Sequence, residues 1–108
     1  MLTSNKIKVG EFENEPLIEI QDPFDLDIRE ELMSVFTNTI SIAKQFLYFH
    51  PIDINYLDSG TVGIIIYHIR KLVWLKKRLV MLQPSEELLT IFNLVGAGGL
   101  FGVRQDAP

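Results

Sequence analysis

The chain has 108 residues, 47% of them hydrophobic and 22% charged, with a formal net charge of −4. That length and balance fit one globular domain and exclude both two ordinary domains and a disordered chain. The acidic balance disfavours nucleic acid as a partner, since phosphate binding needs a basic face. The lack of cysteine excludes disulfides, thiolate chemistry and Cys-ligated metals, and fits a cytoplasmic setting.

The first ten residues, MLTSNKIKVG, hold no continuous apolar run of the kind a signal peptide needs. Residues 5–12 and 16–20 read as two short strands joined by a polar turn around Asn14. QDPFDLD then ends the second strand. A helix is expected next, with Asp27 as N-cap and Glu30 three residues on, in the manner of a capping box. Ile28, Leu32, Val35, Phe36, Ile40 and Ala43 recur at helical spacing and define its buried face.

Residues 46–50 (FLYFH) read as a third strand, extending towards Tyr56 and Leu57, with a stop or bend at Pro51. A second helix is expected from Ser59–Thr61 to about Lys77. Its stretch Val62–Leu75 is interrupted by His68, Arg70 and Lys71, too short and too charged to insert in a bilayer. Residues 78–83 read as a strand. PSEELLTIFNLVG reads as a third helix, with Ser85 as N-cap, acidic residues in its first turn and Gly96 at its C-terminal cap. Residues 100–104 close with a short strand, and the tail QDAP is expected to be loose. The order β-β-α-β-α-β-α-β is α/β, with part of the sheet parallel.

Three segments in sequence resemble the STAS family of anti-sigma-factor antagonists. IQDPFDLDIREEL is similar to the family's strand, turn and first helix. There Asp25 falls on the acidic turn position, and Asp22 replaces a usual Gly. INYLDSGTVGIIIYHIRK is similar to the family's strand, Asp-Ser turn and long apolar helix. Asp58, Ser59, Val62 and Gly63 match it, whereas Gly60 and Thr61 look exchanged relative to the pattern. RLVMLQPSEELLTIFNLVGAGGLF is similar to the family's strand and short helix, with Leu94, Gly96, Leu100 and Phe101 at family spacing. The resemblance covers nearly the whole chain as one domain, residues 1–108. It implies a mixed sheet with helices mainly on one face.

The resemblance also implies a protein-binding module without catalytic residues, cofactor or metal. Its partner would be an anti-sigma factor or serine-kinase-like protein, released when the serine is phosphorylated. The implied modification site is Ser59, with Thr61 as second choice. Asp25, Asp58, Ser59, Gly60 and Thr61 would face the partner, and a homodimer is compatible with the family. A transporter-associated or stressosome-like STAS subunit without a phospho-switch is the alternative within the family.

On a helical wheel of the second helix, Val62, Ile65, Ile66, Ile69 and Leu72 share one face, with Tyr67, Arg70, Lys71 and Trp74 opposite. Tyr, Trp and Arg are enriched at interface hot spots, so Tyr67, Arg70 and Trp74 are candidate partner-binding residues, expected to form an exposed stripe beside Ser59. The other reading folds Trp74 back onto the sheet edge or the first helix. No enzyme constellation emerges. His50 and His68 lie outside metal-ligand spacings, and Ser59 lies in L-D-S-G-T instead of a G-x-S-x-G elbow. A nucleotide- or lipid-binding domain using the Asp25/Asp58 end is the reading from another class.

Overall fold

The computed structural model describes residues 6–21 and 28–106. β1 (Ile7–Phe12) and β2 (Glu15–Gln21) pair as an antiparallel hairpin whose last rung is Phe12↔Glu15. Only Glu13 and Asn14 remain for the loop, at φ of 50° and 67°. This is the two-residue turn whose twist suits flanking strands, and Asn accepts that backbone readily.

α1 (Arg29–Ile42) buries Leu32, Val35, Phe36, Thr39 and Ile40, a stripe at helical spacing. Ile28 occupies its capping position without a side-chain cap bond. Asp27, the expected cap, lies outside the described residues.

β3 (Phe46–Ile52) ends earlier than its sequence suggests. Asp53 turns the chain with φ of 54°, so Tyr56 and Leu57 fall in a loop. Pro51 stays inside the strand opposite Ile20. The ladder between β3 and the next strand stops at Phe49↔Met81, before Pro51, which has no N–H to donate.

α2 (Ser59–Trp74) also ends earlier than expected, at Trp74 instead of Lys77. Lys76 adopts φ of 61°, its amide donates to the Val73 carbonyl, and the Lys77 amide donates to Leu72. That is a Schellman cap with lysine where glycine is usual. β4 (Arg78–Leu82), α3 (Glu86–Leu94) and β5 (Gly102–Arg104) complete the expected order. The Ser85 hydroxyl accepts from the Leu88 amide, and Gly96 at φ 81° closes α3 with the same Schellman pattern.

The five strands lie in chain order; β1–β2 is antiparallel and the remaining pairs are parallel. One core joins the helices to the sheet, with Phe36, Ile65, Ile69 and Phe92 against Ile18, Leu47, Phe49 and Met81. Strand neighbours alternate faces, so Tyr48, Val80 and Leu82 form a second cluster on the opposite face. The hairpin closes over that side. Phe12 packs edge-on against Tyr48 at 4.8 Å between ring centroids, and the Arg104 guanidinium lies 5.4 Å from the Phe12 centroid. Glu13 accepts from both the Tyr48 hydroxyl (3.2 Å) and Arg104 (2.9 Å), which ties the turn to β3 and β5.

Candidate functional site

β3 runs into a loop, residues 53–58, and the chain then returns as α2. This places the start of α2 at the carboxyl edge of the parallel strands, where open α/β sheets usually carry their sites. Asp58 is the N-cap of α2. Its carboxylate accepts from the Thr61 amide at 2.8 Å and pairs with the Arg29 guanidinium of α1. The Thr61 amide chiefly holds the Asp58 carboxyl below its ordinary range; burial opposes this, and Arg29 adds to it.

Asp58 therefore does the capping, and Ser59 is the first helical residue, with an exposed side chain. Thr61, the second choice for modification, is completely buried, because its position in the first turn faces the core. Its hydroxyl is closed to a modifying enzyme unless the helix end opens. Gly60 has a local reason. A Cβ there would run into the Arg29 guanidinium, so the glycine leaves room for the arginine that holds Asp58. Sequence reasoning missed Arg29. Its signal was indirect: a lone cation among the carboxylates of DPFDLDIREE, and a glycine at an unusual motif position. Asp25 lies outside the described residues.

The exposed stripe expected on α2 is present but sits elsewhere. Tyr67 and Arg70 are exposed, and Trp74 is 84% exposed, so it does not fold back onto the sheet or α1. Trp74 is 15 residues from Ser59, about 22 Å along the helix axis. It belongs to the opposite end of the molecule from Ser59. Val62, Ile65, Ile69 and Leu72 are buried as expected, with Ile66 only partly so.

The histidines are separate from this site. His68 is buried, stacks on Phe36 at 4.7 Å and places Nδ1 2.8 Å from the Ile64 carbonyl oxygen. Burial pushes its pKa down, Lys71 adds to that, and the Ile64 carbonyl works against it, so the ring is neutral near pH 7. His50 lies on β3 with Nδ1 3.2 Å from a Glu19 carboxylate oxygen. Among the described residues no three His, Asp or Glu side chains gather as a metal site, and no helix is long and apolar enough to cross a membrane.

A second feature escaped sequence reasoning. The Glu15 carboxylate accepts from the amides of Lys44, Gln45 and Phe46 at 2.8–3.0 Å, which pins the hairpin to the α1–β3 junction.

Five strands in chain order, one of them antiparallel at the edge, with three helices in between, make up the STAS fold. Among solved structures, the chain is similar to SpoIIAA of Bacillus, an anti-sigma factor antagonist. Its phosphorylated form aligns with a TM-score of 0.72 at 18% identity, covering 93% of this chain and 92% of that one. The unphosphorylated form gives 0.73 at 19%, covering 93% and 89%. The NMR structure of the protein TM1081 aligns at 0.77 with 10% identity, covering 96% and 84%. No family model and no curated protein matches the chain.

Proposed function

We propose that this protein is a cytoplasmic binding module of the anti-sigma-factor-antagonist kind, which docks an anti-sigma factor or serine-kinase-like partner and is released by phosphorylation of Ser59. The carrying observation is the exposed Ser59 side chain at the first position of α2, beside a carboxylate already committed to the Thr61 amide and Arg29. SpoIIAA exists in phosphorylated and unphosphorylated forms, and this fold aligns about equally well with both.

The local physics supports the reading. A phosphate at the first helical position gains from the positive end of the helix dipole, and Arg29 lies one residue away against Gly60. The fold therefore tolerates the modification. The partner does not, because phosphate adds about −1.5 to −2 charges to a surface that already holds Asp58. Repulsion and desolvation then oppose a tightly packed interface.

The test is a pull-down from the native organism's lysate with wild-type and Ser59→Glu protein as parallel baits, both first checked for equal melting temperature. Recovery of a kinase-like partner by the wild type alone is the expected result. Recovery of the same partners by both baits would reduce Ser59 to the opening residue of a helix and leave a constitutive scaffold.

A further inference from the structure

The charge of this acidic chain is unevenly placed. From Ser59 to Ser85 the sequence has no Asp or Glu and five cations: Arg70, Lys71, Lys76, Lys77 and Arg78. Residues 88–105 also lack any carboxylate. Lys77 and Arg78 donate to the carbonyls of Ile40 and Phe101, and among the described residues neither pairs with a carboxylate. Among the described residues Arg70 has no carboxylate partner.

Within this cationic end, Arg70, Val73, Trp74 and Leu100 line a groove of about 240 Å³. Leu100 comes from the α3–β5 connection, so two separate parts of the chain build it. A cationic helix end by itself complements the helix dipole and needs no ligand. It does not account for a tryptophan left 84% exposed beside an apolar recess. An exposed Trp–Arg pair around a pocket is the usual composition of an interface anchor.

We propose that this groove docks a partner segment carrying an aliphatic or aromatic anchor flanked by carboxylates. The anchor enters between Val73, Trp74 and Leu100, and a carboxylate pairs with Arg70. The site lies about 16 Å (Arg70) to about 22 Å (Trp74) from Ser59 along α2, two or more screening lengths at physiological salt. Its occupancy is therefore independent of the charge at Ser59, and it stands whether or not Ser59 is a switch. It gives the domain two docking ends, only one of them phosphorylation-sensitive.

Trp74 is the chain's single tryptophan, so its emission reports the groove directly. A display library of amphipathic helical peptides is selected on the full chain, and enriched sequences are synthesised with a fluorescent label. The expected peptides combine Leu or Phe with Glu or Asp and shift Trp74 emission to the blue. They lose at least tenfold affinity to Arg70→Glu and to Trp74→Ala by anisotropy, bind more weakly as salt rises, and bind Ser59→Glu unchanged. Failure to enrich any peptide, enrichment without acidic bias, or equal binding to Trp74→Ala overturns the proposal. So does a blue shift produced by phosphatidylglycerol vesicles and not by peptide, which marks a lipid surface. A shift that grows with protein concentration alone, together with self-association by sedimentation that Trp74→Ala abolishes, assigns the groove to a second copy instead.

Discussion

His68 shows how one buried side chain sets a pH response. Its folded pKa lies below the unfolded value of about 6.5 because burial disfavours the imidazolium. Below that pH the unfolded chain binds the proton that the native state resists. Stability is therefore complete above about pH 6.5 and declines as pH falls from there towards the folded pKa, by up to about 1.4 kcal/mol per pH unit. Urea titrations between pH 7.5 and 5 should show this slope, and His68→Phe, which keeps a ring against Phe36, should flatten it. Asp58 and Glu15, both held below their ordinary range, contribute only at lower pH, when their carboxylates protonate. At Glu15 burial opposes the charge, and the three amides of residues 44–46 outweigh it, with help from Lys44.

The elements stop where local chemistry stops them. α2 carries helical periodicity beyond Trp74, since Lys77 continues the polar face, but the left-handed Lys76 closes it with two Schellman hydrogen bonds. A side chain with a Cβ is strained there, and glycine is not. Lys76→Gly should raise stability by about 0.5 kcal/mol, the strain relieved exceeding glycine's entropy cost, with a melting point a few degrees higher. An unchanged or lower melting point in calorimetry would show that Lys76 carries a compensating contact. α3 already has glycine at the equivalent position, and its end was legible in the sequence for that reason.

Across the whole molecule, burial separates the residues that hold the fold from those left for partners. Phe36 is fully buried, between Phe49 at 5.9 Å and His68 at 4.7 Å between ring centroids. Phe36→Ala should cost about 3–5 kcal/mol. That is a large share of the roughly 5–15 kcal/mol typical of a domain. Trp74→Ala, at an 84% exposed position, should change stability by less than about 0.5 kcal/mol. Parallel urea melts check the contrast, and a large loss in Trp74→Ala would return the tryptophan to a structural role.

Periodicity and turn chemistry alone determined the element order, the buried stripes of α1 and α2, the Ser85 and Gly96 caps and the place of Ser59 at the start of α2. These are local properties, set by residues within one or two turns of each other. The features that needed the tertiary structure depend on residues far apart in the chain. Arg29 reaches Asp58 across 29 positions and explains Gly60; Glu15 caps amides some 30 residues away; Leu100 completes a groove begun at Arg70. The same holds for Thr61, a hydroxyl near Ser59 in sequence that the packing of α2 turns inward. Apolar residues at helical spacing mark the face that turns inward, but a lone small polar residue such as Thr61 carries no such mark, and packing decides which way it points.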